Sequence, residues 1–135
     1  MTRTQEREQA FIMIFEKAFN SDVSLDELFS YAYETGSFEK SLFCESLTKS
    51  VFENLEAIDG VIEKYSIGWK IARLPKVTLS ILRLAVCEIM FVDSVPESVS
   101  ANEAVELAKK YACESDASFI NGIIGTFLRE KKSDE

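Results

Sequence analysis

The chain has 135 residues, 47% of them hydrophobic, with two prolines, five glycines and a net charge of −8. That balance suits one folded domain with a real core and excludes a disordered chain, and no apolar run reaches the ~20 residues needed to span a membrane. The lack of any histidine removes the usual general base and most zinc sites, and no Gly-rich phosphate loop is present, so catalysis is not expected. An acidic body suits a basic partner protein, whereas binding RNA would need a local basic patch.

The first ten residues, MTRTQEREQA, are polar and lack the apolar core of a signal peptide, so a cytoplasmic protein is expected. In the first predicted helix Ala10, Phe11, Ile14, Phe15 and Ala18 recur at steps of three and four. Ile12 and Met13 add a second apolar face, which either the fold or a partner must cover. Ser24 with Glu27 has capping-box spacing and opens a second helix along Leu28, Phe29, Ala32 and Tyr33, which Gly36 ends. Ser37 caps a long third segment through Phe38, Leu42, Leu47, Val51, Leu55, Ile58 and Ile62, with Asp59-Gly60 as its break.

YSIGWK reads as a turn, Ile71 to Leu74 as a short piece, and Pro75 as a helix start. VTLSILRLAVCEIMFV is nearly all apolar and is the expected central helix. Its cation Arg83 needs a carboxylate partner if buried, from Glu88, Glu103 or Glu106. A loop containing Pro96 follows, and Ser100 with Glu103 has capping-box spacing for the next helix, striped by Ala104, Leu107, Ala108 and Tyr111. Ser115 or Asp116 caps the last helix, and REKKSDE reads as a solvated tail.

Within the last helix, ASFINGIIGTF carries Gly122 and Gly125, each costing about 0.5–1 kcal/mol relative to alanine. Three residues apart, they invite a neighbouring helix to approach closely, with Asn121 buried or half-buried beside them. Cys44, Cys87 and Cys113 are odd in number and widely spaced, so they read as thiols rather than disulfides, and no metal or cofactor is implied. Together the elements predict an all-α fold, a compact bundle of about seven helices. It forms one domain over residues 1–135, open to division into small subdomains at 1–66 and 67–135.

Three runs are similar to the NusB family. Val99 to Lys109 reads VSANEAVELAK, Phe119 to Ile124 reads FINGII, and Ile81 to Ile89 reads ILRLAVCEI. Arg7-Glu8 followed by Ala10 resembles the family's N-terminal start. The resemblance implies two small helical subdomains and no enzymatic activity. It implies binding of the boxA element of ribosomal RNA leader transcripts together with NusE, a small-subunit ribosomal protein. It also implies an indirect link to other Nus factors and RNA polymerase, in support of transcription antitermination. Where many members have an arginine-rich N-terminus, this chain has only Arg3 and Arg7. The first helix of the family lies near the start of the last, so Arg3, Arg7, Ser115 and Phe119 are expected to share an RNA surface. Phe15, Tyr111 and Phe119 are the candidates for base stacking, worth roughly 1–3 kcal/mol per base. Two other functions fit the same pattern: a self-associating helical protein, whose dimer would use the extra face of the first helix, and the NusB-like module of a ribosomal RNA methyltransferase.

Overall fold

The computed structural model of the protein describes residues 1–133. Helix α1 spans Arg3–Phe19 and begins with a reciprocal cap: the Thr2 hydroxyl accepts from the Gln5 amide while the Thr2 amide donates to the Gln5 side chain. Ser24 caps α2, Leu25–Glu34, through the Glu27 amide, and Gly36 follows its end with φ of +75°. Only a residue without a Cβ takes that turn cheaply.

The long third segment divides differently from its sequence reading. Helix α3 spans Leu42–Glu53 and is capped by Ser41 rather than Ser37; α4 spans Leu55–Tyr65. The break falls at Asn54, not at Asp59-Gly60, because the Asn54 carboxamide donates to the Ser50 carbonyl and competes with the helical ladder. Gly60 stays inside α4. The buried stripe of α3 is Cys44, Leu47, Thr48 and Val51, one that leaves Leu42 76% exposed.

A turn at Gly68 and a single 3-10 turn, Ile71–Arg73, lead to Pro75 and α5, Lys76–Phe91. Eleven α5 residues are buried, as a helix apolar on every side requires. α5 packs against α1, α3, α4, α6 and α7, helices from both sides of residue 66. α6 is Glu97–Tyr111 and α7 is Glu114–Ser133; they pair closely. α6 begins just after Pro96, four residues earlier than the Ser100 cap would place it. Ser100 and Glu103 serve tertiary contacts instead. α7 starts one residue ahead of Ser115, with the Cys113 carbonyl accepting from the Ala117 amide. The expected tail is helical as far as Ser133, and Asp134 and Glu135 lie outside the described residues.

Two expectations about packing change. Met13 is fully buried and Ile12 half-buried, so the second apolar face of α1 is largely covered by the chain itself. On α7 the buried side is Ala117, Ile120, Ile123, Ile124 and Phe127. Asn121 and Gly122 fall on the opposite, exposed side, and a Cβ on Gly122 would meet nothing within 4 Å. A Cβ on Gly125 would meet only Arg129 of the same helix, at 3.4 Å. The glycines therefore do not seat a neighbouring helix.

Candidate nucleic-acid interface

α1 carries the first two predicted contacts one turn apart. Arg3 is exposed, 3.3 Å from Glu6, with its guanidinium carbon 3.9 Å from the centroid of the Phe43 ring. Arg7 is 4% exposed, and its Nε donates to both oxygens of the equally buried Glu88, at 3.0 and 2.8 Å. Ser100 Oγ donates to the same carboxylate at 2.6 Å, while Glu103 lies 3.8 Å from Arg7 Nη1 and accepts from Thr4 at 2.7 Å. These contacts tie α1 to α5 and α6. Arg7 was expected on the surface; its charge is instead compensated inside the fold, which is how a buried charge is tolerated. Arg83 also finds a partner outside its predicted set: it grips Asp59 of α4 at 2.9 and 2.8 Å, not Glu88, Glu103 or Glu106.

Further along α1 an aromatic row forms. Phe15 lies 6.3 Å from Phe11 and 5.0 Å from Phe19, and Phe11 lies 4.9 Å from Tyr111 of α6. Phe11 is buried; Phe15 is half-buried; Tyr111 and Phe19 are 38% and 59% exposed. A lysine stands at each end, with Lys110 Nζ 5.5 Å from the Tyr111 ring and Lys76 Nζ 5.6 Å from that of Phe19. Lys110 also donates to Glu8 at 2.6 Å, and this hydrogen bond raises its pKa. Burial, followed by the nearby Glu8 carboxylate, raises that of the Tyr111 phenol. At pH 7 the face therefore presents an ammonium and a neutral phenol.

Ser115 and Phe119 occupy the first turns of α7. Ser115 is exposed with its hydroxyl 3.0 Å from Cys113 Sγ, and Phe119 is half-buried. The fold thus joins Phe15 to Tyr111 through Phe11, and Arg3 to Arg7 over Phe43. Among the described residues no hydrogen bond, ion pair or ring contact links Arg3 or Arg7 to Ser115 or Phe119. Sequence reasoning missed Phe43, Phe19, Glu8, Lys76 and Lys110. Phe43 had one signal, an aromatic at a helix start and off the apolar stripe. Among the described residues no group of three or more Cys, Asp or Glu is placed to hold a metal ion, and no helix is long and apolar enough to cross a membrane.

Residues 4–129 match the model of the NusB family. The chain is 43% identical over 128 residues to the transcription antitermination protein NusB of Natranaerobius thermophilus, covering 92% of each. It is 40% identical over 134 residues to that of Clostridium acetobutylicum, covering 98% of each. Its fold is similar to T. maritima NusB with a TM-score of 0.87 at 30% identity, over 96% of this chain and 92% of that one. A crystal structure of antitermination factors NusB and NusE in complex with dsRNA contains a chain similar to this one, with a TM-score of 0.83 at 27% identity over 96% and 99% of the two.

Proposed function

Since the chain belongs to the NusB family, we propose that it is a non-enzymatic transcription antitermination factor that binds the boxA element of ribosomal RNA leader transcripts together with NusE. It acts in the cytoplasm and reaches other Nus factors and RNA polymerase through that complex. The observation carrying this reading is the family match across residues 4–129. The geometry supports it with a half-exposed aromatic row, flanked by lysines, on an otherwise acidic protein. Aromatic faces stack bases without needing net charge, which suits a surface so poor in cations. Arg3, Phe15, Tyr111, Ser115 and Phe119 are its RNA-facing residues, and Arg7 acts from beneath.

Titration of labelled boxA RNA, with and without NusE and across a salt series, tests the reading. Specific binding that NusE strengthens is expected. Absence of binding in both cases, or equal affinity for a scrambled strand, would falsify it. Phe15→Ala and Tyr111→Ala should each weaken binding roughly 5- to 150-fold, the range set by base–aromatic stacking.

A further inference from the structure

A groove of about 630 Å³ runs between α6 and α7, with Asn102, Val105 and Lys109 on one wall and Glu114, Ser118 and Asn121 on the other. None of these residues belongs to the aromatic row. Asn102 comes from the run VSANEAVELAK and Asn121 from FINGII, so two of the runs singled out in the sequence meet across one groove.

The fold has no use for either asparagine. Both are exposed, and neither makes a side-chain hydrogen bond among the described residues. Each sits inside a helix, where an exposed site is better served by alanine, glutamate or lysine. Gly122 and Gly125 add to that weakness on α7 without seating a neighbouring helix. Local choices that disagree with the fold are expected at functional sites. The lining also has a particular chemistry. Each carboxamide offers two donors and an acceptor, the set with which asparagine pairs adenine N6 and N7. Glu114 makes no ion pair among the described residues and can accept from an exocyclic amine. Lys109 is held by Glu106 at 3.6 Å. A phosphate would meet Glu114 and gain little from a lysine already paired, so a strand enters with its base inward and its backbone outward. Half-buried Val105 gives that base an apolar contact. Position completes the case. On α7 Ser118 stands one turn from the RNA-facing Ser115, so the groove continues that surface.

We propose that the α6–α7 groove takes one unstacked base of the bound RNA, reads its edge through Asn102 and Asn121, and favours through Glu114 a base with an exocyclic amine over uracil. The proposal rests on the RNA-binding reading above and makes Asn102 and Asn121 specificity-determining residues. Single-stranded RNA is recognised in this way, by bases splayed out and hydrogen-bonded along their edges. A protein segment could reach the same amides, but the continuity with Ser115 favours the strand.

The test replaces each amine-bearing base of labelled boxA RNA singly by uracil and titrates the set against the wild type, Asn102→Ala, Asn121→Ala and the double variant. Both sites are exposed within helices, so the variants should unfold no earlier than the wild type in thermal scans. In the wild type one position, distinct from those sensitive to Phe15→Ala and Tyr111→Ala, should lose roughly fivefold or more in affinity on replacement. In the double variant that penalty should all but vanish, while penalties elsewhere and the salt slope persist. An unchanged substitution profile overturns the groove assignment and leaves the RNA reading standing. A uniform loss across all strands with a shallower salt slope makes the groove a backbone contact and also overturns the proposal. An intact RNA profile with weakened NusE association gives the groove to the protein partner, with the same consequence. A wild type that binds no RNA overturns both the proposal and the reading beneath it.

Discussion

At the residue scale the fold turns on one buried pair. Arg7 and Glu88 satisfy each other between helices 81 positions apart, with Ser100 and Glu103 completing the set. Removing one member leaves an uncompensated buried charge, so Arg7→Ala should lower stability by about 3–5 kcal/mol in urea unfolding. Arg7→Met combined with Glu88→Leu should recover much of that loss; no recovery would mean that the pair is not what costs. Arg3→Ala should leave stability within about 0.5 kcal/mol. No local pattern separates Arg3 from Arg7, since both sit in a charged N-terminal run. What buries Arg7 is a carboxylate supplied from α5, and one sequence read alone shows no such pairing. The thiols follow burial more simply. Cys44 and Cys87 are pushed by desolvation from 9.0 to about 11, while Cys113 is exposed. Iodoacetamide should label Cys113 alone in the folded protein. A raised folded pKa means the unfolded chain releases its proton first. Stability from these two groups is therefore full below about pH 9 and is lost as pH climbs toward 11. The urea midpoint should fall across that window, and less so in Cys44→Ala/Cys87→Ala.

At the element scale, local chemistry fixed starts better than breaks. The Ser24 cap and the Gly36 stop were legible because each is a short-range bond or backbone requirement. Asn54 was not read as a break, since its carboxamide bond to Ser50 competes with a helix that the apolar stripe favours on both sides. Ser100 and Glu103 carried true capping-box spacing, yet both were claimed by Arg7, Glu88 and Thr4, and α6 started earlier. α7 offers the sharpest test. Gly122 lies in a helix, and an added Cβ would meet nothing. Gly122→Ala should therefore stabilise the protein by about 0.5–1 kcal/mol. Gly36→Ala should destabilise it, because φ there is +75°. If Gly122→Ala stabilises but weakens RNA binding, the exposed glycine is retained for a ligand that comes close to the helix. If it changes neither, the helical assignment of its cost is wrong.

At the scale of the whole molecule, the all-α class was legible because periodic stripes and a nearly unbroken apolar helix leave few ways to bury their faces. The shared surface was harder, since it depends on which carboxylates return to α1 from α5 and α6. Those carboxylates also set how the two partners should respond to salt. Arg7 is neutralised by Glu88, and three exposed cations near the candidate face are held by their own neighbours, Arg3 by Glu6, Lys109 by Glu106 and Lys110 by Glu8, at 3.3, 3.6 and 2.6 Å, while Lys76 makes no ion pair among the described residues. RNA binding through such groups releases few counterions, so the slope of log affinity against log salt should lie near one rather than the two that Arg3 and Arg7 together would give. The protein partner meets the opposite condition. The net charge is −8, and before residue 66 lysine and arginine are confined to Arg3, Arg7, Lys17, Lys40, Lys49 and Lys64. Long-range attraction of a basic protein does not depend on any one pair and is screened over about 8 Å at physiological ionic strength. Association with NusE should therefore slow severalfold between 50 and 500 mM salt in stopped-flow measurements, with dissociation little changed. A steep salt dependence for RNA alone, together with a flat one for NusE, would reverse this assignment of charge to partner.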